Sequence, residues 1–328
     1  MQRILFIRLS SIGDIVLTTP VVRCTKQQVA DVEVHFLVKK EFATVIENNP
    51  YIDKIHLFDG NLGKTIRALK AENFDFVVDL HKNIRSKRIK HALKKPSASF
   101  PKLNYAKWLL VNFKINRLPD VHIVERYFEA VRPLQVKNDG MGLDYFITPN
   151  DEINATHLPE GFIENYTVLV TGGAHQTKQI PLEKAVEICR QLDCYVVICG
   201  GADDREKGEQ IAQQCENRVF NACGHFTIGQ SASLVRQAQQ VITSDTGMMH
   251  IAAAFQKNIV SLWGNTVPEF GMTPYMPQHP ERSKILEVKG LPCRPCSKIG
   301  YKKCPKKHFR CMMDIEIDLI FTFIRNSK

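Results

Sequence analysis

No apolar run in this chain of 328 residues approaches the roughly 18 needed to cross a bilayer as a helix. Ahead of the first strand there is neither an apolar signal region nor a small-residue cleavage site, so the protein is expected to stay in the cytosol. The first strand is followed by neither a GxGxxG nor a Walker loop, which removes the usual pointers to a dinucleotide or a nucleoside triphosphate at that end. Acidic residues are missing altogether between Asp79 and Asp120, and an ordinary solvated surface with mixed charges does not have that composition. Paired CxxC knuckles, the strong signature of a zinc ribbon, are also absent.

What is present is an ordinary globular composition, 44% hydrophobic and 24% charged, long enough for two domains. The net charge of +10 is unevenly placed. Residues 1–150 hold 24 Lys and Arg against 15 Asp and Glu, a net of +9, and the remainder is near neutrality. Most of the excess falls in the acid-free block, from Lys82, Arg85, Lys87 and Arg88 through Lys102 to Arg117. Such a block attracts phosphates on nucleic acid, on lipid headgroups or on a phosphorylated glycolipid. Six of the ten cysteines are scattered through predicted strands and helices, where a free thiol packs as a small hydrophobe.

The stretch Arg3 to Thr25 organises the rest. Seven mostly apolar residues suit a strand buried on both faces, and they stop at Ser10-Ser11. Ser10, Ser11 and Gly13 make a small polar loop before a helix expected from about Ile15, and Asp14 stands where loop becomes helix. In open parallel sheets the carboxyl edge is where ligands bind, so Asp14 is placed either for chemistry or simply to cap the helix. Strands then alternate with helices: 32–38, a helix near 41–48, strand 52–58, a helix near 62–72, and strand 74–80. That order predicts a mostly parallel sheet covered on both faces. It delivers Asp79 and His81 to the same edge as Asp14, with the basic helix springing from it at Asn83. Trp108 to Val111, within a basic surround, could touch a membrane surface or simply pack, and packing is the expectation.

After a looser stretch, 133–159, a second alternating series begins. Its strands, 167–171, 195–199, 240–243 and 259–263, end in the glycine or small polar loops Gly172 to Lys178, Gly200 to Asp204, Ser244 to His250 and Gly264 to Thr266. A short strand at 218–221 and helices after Pro181, through Glu206 and Ile211, near 231–238 and at 251–255 complete it. The expectation is an α/β protein of two doubly wound domains, 1–150 and 151–328, facing each other across a cleft.

With RLSSIGDIVLTTP at one end and SDTGMMHIAAAFQKNIVSLWGNTVPEFG at the other, the chain resembles glycosyltransferase family 9, the ADP-heptose:lipopolysaccharide heptosyltransferases. VTGGAHQTKQIP, VVICGGADDREKGEQIA and LPCRPCSKIGYKKCPKKHFRCM follow in the family's order. The resemblance implies the GT-B architecture, an inverting mechanism, no cofactor and no obligatory catalytic metal, and the chain contains no Asp-x-Asp. It implies Asp14 as the general base, and a donor site of Thr177, Lys178, Glu206, Asp245, Thr246, Gly247 and His250 for an ADP-sugar. The acceptor, a phosphorylated glycolipid of the lipopolysaccharide core, would lie along Ser10, Ser11, Gly13, His81, Lys82 and Arg85. The working place would be peripheral to the cytoplasmic face of the inner membrane, with no nucleic acid as partner. Ile180 stands where the family often has an aromatic residue. Rival readings are a nucleic-acid-binding protein, suggested by the basic block and the cysteines, and a nucleotide-sugar epimerase on the same fold. Cys293, Cys296, Cys304 and Cys311 fall within 19 residues and could close on zinc or stay as thiols organising a loop. Residues 314–325 read as a terminal helix, which in GT-B proteins often crosses back to the first domain.

Overall fold

The computed structural model describes residues 1–154, 157–162 and 165–326, so Ala155 and Thr156 of the expected linker lie outside the described residues. The chain divides into two compact units. The first comprises Met1–Lys102 and Val121–Phe146, and the second Leu103–Asp120 and Ile147–Lys328.

The first unit holds β1 (Gln2–Ile7), α1 (Ile12–Val16), α2 (Thr19–Gln28), β2 (Val32–Lys39), β3 (Lys54–Phe58), α3 (Leu62–Ala71), β4 (Phe76–Asp79), α4 (Ile84–Leu93) and β5 (Ser97–Ser99). Its five strands are all parallel, in the order β3-β2-β1-β4-β5. β1 is central, and Ile4 to Ile7 are wholly inaccessible, which is why that strand reads as an unbroken apolar run and not as an alternation. α4 starts at a reciprocal cap: Asn83 Oδ1 accepts from Ser86 N and Ser86 Oγ accepts from Asn83 N, both at 3.0 Å.

α5 (Asn104–Phe113) packs with the second unit, burying Leu110 against Val267 and Phe270, and α6 (Ile123–Phe128) returns to the first. The second sheet is formed by β6 (Tyr166–Val170), β7 (Tyr195–Cys199), β8 (Val219–Asn221), β9 (Gln240–Ser244), β10 (Asn258–Trp263) and β11 (Ser283–Glu287). These six are also parallel, in the order β11-β10-β9-β6-β7-β8. Between them run α7 (Leu182–Gln191), α8 (Arg205–Gln214), α9 (Ile228–Gln237) and α10 (Gly247–Ala254), and the chain closes with α11 (Arg310–Met313) and α12 (Asp318–Asn326).

Several expectations need correction. The first helix begins at Ile12 and not near Ile15, with Ser11 at its N-cap, so Asp14 sits inside the first turn. The helix expected near 41–48 is a 3-10 turn, Lys40–Val45, where Thr44, Val45 and Ile46 disfavour α-helix and Asn48-Asn49-Pro50 ends it. α10 starts at Gly247, four residues before the expected 251, because the Asp-Thr-Gly turn is itself the helix start. β5, β11 and α5 were not anticipated. β5 has three residues, and β11 is an edge strand whose SKILE has only Ile285 and Leu286 as apolar residues, between Lys284 and Glu287. The terminal helix buries Ile320 and Ile324 in the second unit's own core, beside Val260 and Leu262 of β10.

Candidate functional site

In each sheet the chain reverses direction of winding at one place, and loops leaving the two flanking strands are brought together there. In the first sheet that place lies between β1 and β4. Here Arg8 and Asp14 meet: Arg8 Nη2 is 2.6 Å from Asp14 Oδ1. The other carboxylate oxygen accepts from Ser11 Oγ at 3.0 Å. Arg8 is itself fixed, donating to Ser10 O at 2.8 Å, Leu80 O at 2.6 Å and Tyr127 Oη at 3.0 Å. Its guanidinium is buried, whereas a quarter of the Asp14 side chain remains exposed, so the pair presents a carboxylate on a rigid cationic mount. Asp14 also closes the capping box of α1, with Oδ2 3.5 Å from Ser11 N, so it serves the cap and the Arg8 pair together.

Asp79 is fully buried and spent on structure. It accepts from His81 N at 3.0 Å, Lys82 N at 2.7 Å and Ser86 Oγ at 2.9 Å, with Lys90 Nζ at 3.3 Å. His81 is half-buried, and its Nδ1 is inaccessible and has no hydrogen-bond partner. Burial, then the charges of Arg8 and Lys102, hold this imidazole down to about 4, so it is neutral at physiological pH. Lys102 Nζ donates to the carbonyls of His81 and Lys82 at 3.0 and 3.2 Å, and Lys82 Nζ to Phe100 O at 2.9 Å. The basic block therefore divides in two. Lys82, Lys90 and Lys102 brace the loops, while Arg85, Lys87, Arg88, Lys94 and Lys95 face solvent.

In the second sheet the reversal lies between β6 and β9. Lys178, from the loop after β6, pairs with Asp245, from the loop after β9, at 2.6 Å. Asp245 Oδ2 also accepts from Thr266 Oγ1 at 2.9 Å, so three strand-end loops share one carboxylate. Thr246 stands at the N-cap position of α10, and its methyl lies 3.4 Å from where a Cβ on Gly173 would stand, so the two loops approach closely. His250 is buried one turn along α10. A cavity of about 640 Å³ is lined by Thr177, Glu206, Asp203 and Lys207 among others. Glu206 is exposed at the start of α8, whereas Asp204 is buried and accepts from Gly201 N at 2.9 Å. Asp203 and Glu206 are both exposed, so burial sets aside Asp204 alone among the three acids.

Residues 62–306 match the model of glycosyltransferase family 9 (heptosyltransferase). The chain belongs to glycosyltransferase family 9. Lipopolysaccharide heptosyltransferase 1 of Pseudomonas aeruginosa is 24% identical over 351 aligned positions, covering 99% of this chain and 94% of that one. Among solved structures, a family 9 glycosyltransferase from Veillonella parvula superposes with a TM-score of 0.77 at 22% identity, over 99% and 97% of the two chains. The Escherichia coli heptosyltransferase WaaC with ADP gives 0.71 at 18% identity, over the whole of both chains. These likenesses show the fold, GT-B, and membership of the family makes the chain a glycosyltransferase. Neither rival reading, nucleic-acid binding or epimerisation, has support here.

The family 9 chain attaches its cysteine segment to the loops around Lys178. Arg294, between Cys293 and Cys296, donates to Gly264 O at 2.6 Å, Thr266 O at 2.9 Å and Val288 O at 3.2 Å, and pairs with Glu287 at 2.6 Å. Thr177 is buried, accepting from Tyr301 N at 2.8 Å and donating to Tyr301 O at 3.2 Å. All ten cysteines are free, and Cys296 Sγ donates to Cys293 O at 3.0 Å. Among the described residues, no three of the segment's cysteine and histidine ligand atoms lie within 4.8 Å of one another. Arg8 and Arg294 were not singled out from sequence. The signal for Arg8 was an arginine at the end of an otherwise apolar strand, since a charge at that position must find a partner.

Proposed function

We propose that this glycosyltransferase moves a heptose, or a closely related sugar, from an ADP-sugar to a phosphorylated glycolipid of the lipopolysaccharide core, with inversion at the anomeric carbon. The observation that carries the reading is the Lys178–Asp245 pair at the second sheet's switch point, beside the N-terminus of α10. A diphosphate arriving there competes with Asp245 for the Lys178 ammonium and gains the free amides at the helix start. Asp14 takes the proton from an acceptor hydroxyl, the resulting oxygen attacks the anomeric carbon, and the bond to the departing phosphate breaks as ADP leaves. Arg8 orients the carboxylate. Lys178 offsets the charge that grows on the leaving oxygen, and Glu206 offers a carboxylate to the donor's ribose hydroxyls. The outward arginines and lysines of α4 take the acceptor's phosphates.

Calorimetry with ADP tests the donor assignment. ADP should bind the wild type, and Lys178→Ala should weaken it by about tenfold to a hundredfold, the usual worth of a hydrogen bond to a charged group. Undetectable ADP binding beside clear UDP binding would overturn the donor class.

Contact with an anionic membrane surface belongs to the same proposal. Tyr105, Trp108 and Phe113 are exposed and packed on one another, with ring centroids 6.1 and 5.1 Å apart, on a helix within the acid-free block. The chain should float with vesicles containing phosphatidylglycerol and remain behind with phosphatidylcholine alone. Equal behaviour with both would remove the membrane contact. Among the described residues no helix is long and apolar enough to cross a membrane.

A further inference from the structure

A second cluster of chemically able side chains lies away from both switch points. His35 stands mid-way along β2, His56 mid-way along β3, and Glu72 directly after α3. One ligand atom from each lies within 4.8 Å of the other two. We propose that His35 Nδ1, His56 Nε2 and a Glu72 carboxylate oxygen form a binding site for a divalent transition metal such as zinc or cobalt, structural in role and separate from the sugar-transfer chemistry.

Three features point to a ligand and not to packing alone. His35 is completely buried, yet its Nδ1 faces His56 Nε2 at 2.8 Å and not a carbonyl or hydroxyl of the sheet. Its other nitrogen, Nε2, lies 3.1 Å from Glu33 Oε1, and that carboxylate is held by Arg3 at 2.7 Å. That nitrogen makes no hydrogen bond as it stands, and a carboxylate within reach of it is the partner that, once bonded, fixes the tautomer of a metal-bound histidine and raises its basicity. The two rings are fixed against each other, with centroids 5.1 Å apart, and against the edge of Phe74, so the ligand nitrogens are held in place before an ion arrives. Two imidazoles and a carboxylate, with a fourth position left for water, suit zinc or cobalt.

The chemistry balances without a net proton. Taking His35 as its Nε2–H tautomer, with Nε2 3.1 Å from Glu33 Oε1 but not aligned for a hydrogen bond, His35 Nδ1 accepts from His56 Nε2–H in the empty site. On metal binding His56 shifts its proton to Nδ1 and gives the Nε2 lone pair to the ion. Metal–nitrogen bonds of about 2.0–2.1 Å in a tetrahedral site set the two nitrogens about 3.3 Å apart, so the rings need part by only about half an ångström. Lys54 opposes the metal: its ammonium is 2.7 Å from Glu72 Oε1 and must be displaced or share the carboxylate. A bound ion would tie β2 and β3 to the end of α3.

The test is a cobalt titration of the full chain after removal of metal with a chelator. Histidine and carboxylate ligands give visible d–d absorption without the intense near-ultraviolet charge transfer of thiolates, which separates this site from any cobalt held by the cysteine segment. Glu72→Gln should weaken the nitrogen-and-oxygen-type site at least tenfold, Glu33→Gln about tenfold to a hundredfold, and Lys54→Met should tighten it. Glu72 and Lys54 are partly exposed, so both variants should fold, as far-ultraviolet circular dichroism will verify. The absence of a thiolate-free cobalt band in the wild type, or one of equal affinity in Glu72→Gln and Lys54→Met, would overturn the proposal.

Discussion

Replacing Asp14 by Asn is the most informative single change. The amide keeps the volume of the carboxylate and can still accept from Ser11, but it cannot take a proton from the acceptor, and it leaves Arg8 without its counter-charge. General-base catalysis is commonly worth about 10² to 10⁴ in rate, or about 2.7 to 5.5 kcal/mol in the barrier. Breaking a fully buried ion pair costs about 3–5 kcal/mol, but Asp14 is a quarter exposed and Arg8 retains three neutral acceptors, so about 1–2 kcal/mol of stability is a better figure. In a unit of this size that lowers the melting temperature by about 2–8 °C. Transfer should be measured in a single-turnover assay well below the melting point, alongside ADP affinity, which should be unchanged. Arg8→Met supplies the control. It removes the mount and leaves the carboxylate, so it should lose stability comparably but retain more turnover than Asp14→Asn. Retention of more than about a tenth of wild-type turnover by Asp14→Asn would remove Asp14 from the mechanism. His81, with its inaccessible Nδ1, would then be the residue to examine, since Asp79 is consumed by four structural contacts.

Other consequences can be checked independently. Phosphorylated core glycolipid should bind more tightly than duplex or single-stranded nucleic acid at physiological salt, and displacement of the glycolipid by micromolar nucleic acid would end the acceptor role of α4. Arg294→Met should cost about 3–5 kcal/mol in urea unfolding, because it strands Glu287 and three carbonyls; a loss under 1 kcal/mol would show that the segment is held by other contacts. His56 and His81 are both held down to about 4, below the roughly 6.5 of an unfolded histidine, so the unfolded chain alone takes up these protons as pH falls through that window. Stability should therefore drop between about pH 6.5 and 4, by about 1–2 kcal/mol per histidine after allowance for partial exposure, and should be insensitive to these groups above it. With chelator present, the double variant His56→Gln, His81→Gln should flatten that slope in urea midpoints measured at pH 7 and 5, and an undiminished slope would contradict the assignment.

The parts of this protein that the sequence determined by itself are those set by short-range sterics and burial. Ile4 to Ile7 read as a strand buried on both faces because no polar residue interrupts them, and Asn83 and Ser86 start a helix whatever it packs against. Glycine and small polar loops at successive strand ends were legible for the same local reason, and with alternating strands and helices they gave the doubly wound class. Local patterns are weaker where packing decides. The SKILE strand has too little apolar character to announce itself, yet it pairs in full register with β10, and the terminal helix settles into the second core because Ile320 and Ile324 fit in the same cluster as Leu262. Pairings between distant residues belong wholly to the tertiary structure. Lys178 and Asp245 meet because strand order sets β6 against β9, Arg8 reaches Leu80 and Tyr127 because β4 lies beside β1, and His35 finds His56 and Glu72 because β3 closes on β2. No periodicity encodes these meetings, since sheet order depends on the summed packing of all the layers and not on any one segment's preference.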